Sequence, residues 1–118
     1  MYLKKDSLQL TNEFVVNKKD INDNGILTTC KILSEITSHS DQAIILAFGD
    51  LGIYRWLSSS YNINFVDQAR KGDHVKVETS INFIYGQTLE LKIVVCRKGK
   101  KDKKLALGHF IFRNAQAA

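Results

Sequence analysis

The sequence predicts an α+β domain of two layers, in which one long helix covers one face of an antiparallel β-sheet. Apolar residues recur at spacings of three and four over residues 27–47, which is the pattern of a helix with one buried face. After residue 52, apolar and polar residues alternate instead, as they do in half-buried strands. The 118 residues are 44% hydrophobic and 25% charged, which is typical of a single globular domain, here expected to span residues 1–118.

The chain begins with a predicted strand and a polar loop. Residues 7–16 predict the strand, because Leu8 and Leu10 alternate with polar residues and a run of Phe and Val follows. The loop covers residues 17–25. Its many Asn and Asp side chains can bond to nearby backbone, and its glycine tolerates left-handed conformations.

The helix over residues 27–47 has a predicted start and a predicted end. The hydroxyl of Thr28 or Thr29 can cap its first turn, and Gly49 favours its end. The polar run at residues 38–41 predicts a kink or a polar patch near its middle.

Four antiparallel strands in meander order are predicted to follow the helix. The edges of such a sheet are bare, which predicts pairing with a second copy of the chain. The strands cover residues 56–66, 75–85, 89–95 and 105–112, and the connections between them are turns at residues 71–73 and 86–87 and a basic hairpin tip at residues 97–104.

The positive charge of the chain is concentrated in one place. Residues 97–104 contain six basic residues and one acidic residue, a net charge of +5, which equals the net charge of the whole chain. A neutral body with one basic turn favours a local contact with an anion and disfavours a broad nucleic-acid-binding face. A solvated, lysine-rich turn without a ligand is the alternative.

The sequence predicts a cytoplasmic protein without a membrane span. It contains no run of about 18 apolar residues, and its first residues lack the apolar core of a signal peptide. Cys30 and Cys96 fit that compartment as free thiols. We expect Cys30 to be a small buried residue, with a reactive thiol near the helix N-terminus as the alternative.

The loop before the helix contains half of a calcium-binding pattern. Asp20, Asn22, Asn24 and Gly25 have the spacing of the first half of an EF-hand loop. The twelfth position is Lys31 where that loop needs a bidentate glutamate, and the preceding segment is a predicted strand. Calcium binding is therefore rejected, and since no spaced set of Cys and His exists either, we expect no metal or other cofactor.

The same loop brings a carboxylate to the start of the helix. The backbone N–H groups of Leu27, Thr28 and Thr29 are expected to lack partners inside the helix, and such amides can stabilise an oxyanion. Asp20 is placed to act beside them as a nucleophile or as a general base for water. A purely structural role for Asp20, Asn22 and Asp23 in a tight turn is the alternative.

The remaining histidines and aromatic residues give weaker indications. Consecutive residues on a helix point in different directions, so the run at residues 38–41, which includes His39, cannot form a catalytic triad. It is predicted to form the polar wall of a substrate tunnel or an interface. His74 and His109 are expected to be structural. The aromatic residues near the second strand, predicted to line a tunnel or to pack in the core or an interface, are Tyr54, Trp56 and Tyr61.

Residues 20–33 (DINDNGILTTCKIL) resemble the signature of hotdog-fold thioesterases. That signature reads Asp-x-Asp/Asn-x-x-Gly-His-Val-Asn-Asn-x-x-Tyr-Leu and leads into the central helix of the fold. Residues 65–75 and 86–88 also look like that family's turn into the third strand and its later Gly-x-Thr/Ser turn. The resemblance covers nearly the whole chain.

The resemblance implies a hotdog fold, in which an antiparallel sheet wraps around one long central helix, and hydrolysis of acyl-CoA or acyl-carrier-protein thioesters. It implies a homodimer or a dimer of dimers, with the substrate tunnel between subunits. It places Asp20 where the 4-hydroxybenzoyl-CoA branch carries its catalytic aspartate. We expect Asn22 and Gly25 to contact the substrate, and Arg97 and Lys98 to contact the phosphates of coenzyme A or the acidic helix of a carrier protein.

Some residues depart from the family pattern. Ile26 stands in place of the motif histidine, and Thr28 and Thr29 stand in place of its two asparagines. Another branch carries its acid at the position of Thr37, and the nearby Glu35 and Asp41 do not align with it. These departures favour, as the second hypothesis, a non-catalytic hotdog module that binds an acyl carrier or acyl-CoA. A hotdog dehydratase and a nucleic-acid-binding protein rank below it.

Overall fold

The computed structural model describes residues 9–49, 56–85 and 87–114. One helix and five strands account for most of them. In chain order the elements are β1 (Gln9–Val15), a 3-10 turn (Lys18–Asp20), α1 (Thr29–Phe48), β2 (Trp56–Phe65), β3 (His74–Tyr85), β4 (Thr88–Arg97) and β5 (Lys103–Asn114).

The five strands form one antiparallel sheet in the order β1-β3-β4-β5-β2. The predicted meander is therefore right for β3, β4 and β5 and wrong for β2, which pairs with β5 rather than with β3. The reason is that β1 occupies the free edge of β3, with Leu10 opposite Thr79. β2 pairs instead with the edge of β5, where Tyr61 lies opposite Phe110.

α1 forms where its periodicity predicts, and both predicted caps are present. Thr28 is the N-cap, and its hydroxyl accepts a hydrogen bond from the amide of Lys31 at 3.1 Å. Gly49 ends the helix with a φ of 83°, and its amide donates to the carbonyl of Ile45 at 2.8 Å. The left-handed conformation at Gly49 is one that a residue with a side chain rarely adopts. The helix is continuous through the polar run at residues 38–41.

The core lies between α1 and one face of the sheet. Ile32, Ile36 and Ile44 of the helix are almost completely buried. Burying side chains of this size contributes about 1.5–3 kcal/mol each to folding. Gly108 allows the close approach, since a Cβ atom there would lie 3.5 Å from Ile36 and 3.3 Å from the ring of Phe110. The buried sheet residues that face the helix are Val75, Val77, Ile81, Leu89, Leu91, Ile93 and Val95.

The predicted boundaries of the helix and strands differ from the observed ones by at most two residues. The predictions of a strand at Leu8, of a tunnel, core or interface position for Tyr54 and of a turn at Gly86 concern residues outside the described ones. The expectation for Cys30 is wrong: its side chain is exposed, because it lies in the first turn of α1 on the side away from the core, whereas Cys96 is buried.

Candidate functional site

Asp20 is a buried carboxylate at the entrance to α1. It ends the 3-10 turn and is 5% exposed. Its Oδ2 accepts a hydrogen bond from the amide of Asn17 at 3.1 Å, while the side chain of Asn17 accepts one from the amide of Lys19 at 3.1 Å. The side chain of Asn17 also accepts from the backbone N–H of Asp20, and the reciprocal bonds between Asn17 and Asp20 form a capping box that fixes the position of the carboxylate.

The backbone of Asp20 is tied directly to the helix start, which corrects part of the sequence prediction. The amide of Thr28 donates to the carbonyl of Asp20 at 2.9 Å, and that of Leu27 donates to the carbonyl of Ala69 at 2.8 Å. The sequence predicts free N–H donors at Leu27 and Thr28, whereas in the structure both amides already have a backbone acceptor. Among the described residues, the amides without a protein partner at this end of α1 are those of Thr29 and Cys30.

Asn22 and Gly25 shape the loop between Asp20 and the helix. The side-chain oxygen of Asn22 accepts hydrogen bonds from the amides of Asn24 (2.9 Å) and Ile26 (3.1 Å). Gly25 has a φ of 78°, so a side chain there would strain the backbone. Both residues have structural roles that account for their presence, and their expected contact with substrate remains a prediction.

A row of polar side chains runs along one flank of α1 from Asp20. Lys31, Glu35 and His39 follow one another at helical spacings of four. The Nζ atom of Lys31 lies 3.8 Å from Oδ1 of Asp20 and 2.9 Å from Oε1 of Glu35, and Nε2 of His39 lies 3.8 Å from Oε2 of Glu35. The hydrogen bond to Glu35 and the charges of Glu35 and Asp20 raise the pKa of Lys31, while partial burial opposes the rise. Sequence reasoning missed Lys31 and its link to Asp20, although the Lys31–Glu35 spacing was a visible signal.

The opposite flank of α1 borders a cavity of about 390 Å³ between the helix and strands β2 and β5. This volume falls within the range of small-molecule sites. Tyr61 lies at its edge, 68% exposed, with its ring stacked on that of Phe110 at a centroid distance of 5.8 Å. Trp56, by contrast, is buried and packs against Phe48. The cavity is lined by Leu33, Thr37, Ser40, Asp41, Ser58, Tyr61, Ile63, Phe110 and Phe112.

The polar run in the middle of the helix divides between these two flanks. His39 is 2% exposed and belongs to the flank of Asp20. Ser40 is 4% exposed, and Ser40 and Asp41 line the cavity. Ser40 and Asp41 therefore lie where they could face a ligand, and their role as a polar tunnel wall or as part of an interface stays a prediction.

Arg97 and Lys98 lie at the same end of the molecule as Asp20, and both have protein partners. The guanidinium of Arg97 donates to the carbonyl of Gln68 at 2.9 Å, and Lys98 forms an ion pair with Glu13. Because Ala69, next to Gln68, accepts the amide hydrogen of Leu27, the 66–70 segment connects the basic turn to the helix entrance. A role in substrate binding for Arg97 and Lys98 remains a prediction.

The other histidines lie on the sheet, outside the row of polar side chains that begins at Asp20. His74 is exposed at the start of β3, and Nε2 of His109 lies 2.6 Å from Oε2 of Glu90 on the outer face of the sheet. Within the described ranges, no group of three or more His, Cys, Asp or Glu side chains is arranged to bind a metal ion. In the same part of the chain, no helix is both long enough and apolar enough to cross a membrane.

Comparison by sequence identifies no relatives: no protein-family model and no curated protein matches the chain.

Comparison by structure identifies the fold. The chain superposes on 4-hydroxybenzoyl-CoA thioesterase from a Pseudomonas species with a TM-score of 0.72 and 17% identity, covering 90% of this chain and 84% of that one. The zebrafish thioesterase superfamily member 2 gives a TM-score of 0.76 and 17% identity over 97% and 80% of the two chains. For an acyl-CoA hydrolase from Staphylococcus aureus the values are 0.73 and 15%, over 90% of this chain.

The chain spans 65% of the length of the S. aureus hydrolase, just under two thirds. These structural similarities, together with the sheet order and the central helix, show that the chain has a hotdog fold.

Proposed function

We propose that this chain hydrolyses acyl thioesters, with Asp20 as the catalytic residue. The observation that carries the proposal is a buried carboxylate, fixed by a capping box, at the entrance of the central helix of a hotdog fold. Two of the similar structures are named as enzymes that act on acyl-CoA, and each was solved with a CoA compound bound. Acyl-CoA and acyl-carrier-protein thioesters are therefore the proposed substrates, and the cytoplasm the proposed compartment.

Backbone amides at the start of the helix and the carboxylate of Asp20 can carry out different parts of the reaction. The free amides of Thr29 and Cys30 lie at the positive end of the helix dipole, where they can donate to the oxygen of the thioester carbonyl as negative charge develops on it. Asp20 either attacks the carbonyl carbon or removes a proton from an attacking water.

In both mechanisms the C–S bond breaks, the thiolate leaves and takes up a proton, and one water is consumed to give the carboxylic acid. Attack by Asp20 passes through a mixed anhydride that water then hydrolyses. An acyl adduct on Asp20 after rapid quenching identifies it as the nucleophile, and general-base action leaves no such adduct.

The placement of the cavity supports a site completed by a second copy of the chain. With about 3.6 residues per turn, Leu33 and Thr37 lie on the opposite flank of α1 from Lys31 and Glu35, which adjoin Asp20. One chain therefore presents its carboxylate and its cavity on different sides of the helix. A homodimer formed through the edge of β2, or a dimer of dimers, would bring the carboxylate of one chain toward the cavity of its partner.

The basic turn is the proposed contact for the carrier. Lys100 and Lys101 are exposed at the hairpin tip, next to Arg97 and Lys98. Cations at this position suit the phosphates of coenzyme A or an acidic helix of a carrier protein.

The deciding experiment measures thiol release from a panel of acyl-CoA and acyl-carrier-protein thioesters by wild type, Asp20→Asn and Asp23→Asn. Asp23 is an exposed acid of the same loop and serves as a matched control. We expect Asp20→Asn to lose at least about a hundredfold in kcat/KM, or about 2.7 kcal/mol in the barrier, and Asp23→Asn to lose little. Equal rates in wild type and Asp20→Asn would show that Asp20 has only a structural role.

The second candidate function is a non-catalytic module that binds an acyl carrier or acyl-CoA. It is favoured by Ile26, Thr28 and Thr29, which replace the polar residues of the family signature. No turnover across the panel, together with saturable binding of an acyl-CoA or an acyl-carrier protein, would establish it in place of the hydrolase.

A further inference from the structure

We propose that Lys31 is a positioning residue for Asp20, held in place by Glu35 and by the ring of Phe14. The inference rests on the proposed role of Asp20 and concerns how its carboxylate is oriented.

Three contacts from three elements converge on the ammonium group of Lys31. Oε1 of Glu35, one turn further along α1, lies 2.9 Å from Nζ. Oδ1 of Asp20, from the 3-10 turn, lies 3.8 Å away, and the ring centroid of Phe14, from β1, lies 5.0 Å away. An ammonium over an aromatic face and between two carboxylates is restrained in all directions except toward solvent.

The two oxygens of Asp20 have different partners. Oδ2 is held by the amide of Asn17, whereas Oδ1 has Lys31 as its only charged neighbour in the described part of the chain. Oδ1 is thus the oxygen whose orientation depends on Lys31. At 3.8 Å the contact is an ion pair without a tight hydrogen bond, so the oxygen can still attack or accept a proton.

Burial makes this interaction more significant than an exposed ion pair. The side chain of Asp20 is 6% exposed and that of Lys31 is 28% exposed, so the carboxylate is shielded from bulk water and the lysine is partly shielded. Exposed pairs contribute little because water and salt screen them.

Glu35 explains why Lys31 is available to Asp20. Without Glu35, the flexible lysine would be free to extend into solvent. The short contact with Glu35 fixes the ammonium near the helix, and the competition between two carboxylates keeps it from closing fully on Asp20. The ion pair with Glu35 is an ordinary i, i+4 pair, but its consequence here is to place a cation beside the catalytic carboxylate.

The test begins with a cycle that requires no activity. The urea midpoints of wild type, Lys31→Met, Asp20→Asn and the double variant are measured at pH 7.5. If the side chains are coupled, the double variant loses less stability than the sum of the two single losses. Additive losses would overturn the proposal, whatever the protein hydrolyses.

Kinetics then separate positioning from a structural or substrate-binding role. On the best thioester of the panel, we expect Lys31→Met to lose about tenfold to a hundredfold in kcat with KM changed less than twofold, since a small misplacement of a reacting group has effects of that size. Lys31→Arg should recover most of the rate, because it retains the cation. Lys92→Met, which removes a cation from the outer face of the sheet, is the matched control and should leave kcat unchanged.

The outcomes distinguish this inference from the proposed function. If Asp20→Asn abolishes turnover while Lys31→Met has wild-type kcat, the hydrolase stands and the role of Lys31 is wrong. A rise in KM alone would make Lys31 a substrate contact and would also overturn the proposal. If wild type hydrolyses no thioester, the proposed function fails, and so does the catalytic role of this pair.

Discussion

His39 is a buried histidine whose surroundings disfavour its charged form. It is 2% exposed, and Nδ1 has no hydrogen-bond partner among the described residues. Nε2 accepts a hydrogen bond from the side-chain nitrogen of Asn12 at 3.2 Å when the ring is neutral. Burial lowers the pKa of His39 below its usual value of 6.5, and the nearby Glu35 only partly opposes this effect.

The lowered pKa of His39 predicts a loss of stability in acid. The unfolded chain takes up the proton near pH 6.5, before the folded chain does, so folding becomes less favourable as the pH falls below that value. Wild type should therefore lose more of its urea midpoint between pH 7.5 and pH 5.5 than His39→Gln does. His74→Gln, at an exposed histidine, should behave like wild type. Equal losses in wild type and His39→Gln would contradict the assignment.

At this scale the sequence predicted the position of Asp20 better than the hydrogen bonds around it. The position of Asp20 before the helix was visible in the sequence, and the structure shows that carboxylate buried at the helix entrance. The engagement of the Leu27 amide was not visible, because its acceptor is the carbonyl of Ala69, which only the folded sheet brings into contact. The contact between Lys31 and Asp20 was not visible either, because it depends on how the loop between them folds.

The entrance of α1 is the element on which the candidate site depends. Thr28 caps the helix through its side chain and is bonded to Asp20 through its backbone. A change in this cap therefore affects both the start of the helix and the carbonyl of the residue proposed to be catalytic.

Removal of the capping hydroxyl should destabilise the protein measurably. Thr28→Ala leaves the amide of Lys31 without its acceptor, and loss of an N-cap typically costs about 1 kcal/mol. Thr28→Ser keeps the hydroxyl and should retain most of the stability. Chemical denaturation of the two variants checks this, and identical losses would show that the cap contributes nothing.

The helix and the order of β3, β4 and β5 could be predicted closely, whereas the position of β2 in the sheet could not. Residues 27–47 contain a strong three-and-four repeat and recognisable caps, which are local signals. The pairing of β2 with β5 depends on which strand occupies the edge of β3, and nothing local to residues 56–66 carries that information. The alternation of apolar and polar residues predicted where each strand lies in the sequence, but it did not indicate which strand pairs with β2.

Among the described residues, β2 forms an exposed edge of the sheet that carries several apolar side chains. β2 pairs with β5 along one side and, within the described ranges, with no strand along the other. Leu57, Tyr61 and Phe65 along it are 56%, 68% and 47% exposed. Exposed apolar edges of this kind favour association, in agreement with the proposed dimer.

A charge on this edge should prevent association. Phe65→Lys is expected to shift the protein from dimer to monomer in light scattering at micromolar concentration, since the lysine would be buried in the interface. Val15→Lys makes the same change at an exposed apolar residue of β1, on the opposite edge, and should leave the dimer intact. If wild type is a monomer at all concentrations, the proposed completion of the site by a second copy is wrong.

The pairing of β2 with β5 also constrains how the chain folds as it is synthesised. Tyr61 leaves the ribosome about fifty residues before its partner Phe110, so β2 has no strand to pair with until nearly all of the sheet has been translated. Contacts between residues far apart in the sequence slow folding. An unpaired strand with exposed apolar residues is prone to aggregation until its partner strand is present. The same residues that favour association of the finished protein therefore favour aggregation of the nascent chain until β5 has been synthesised.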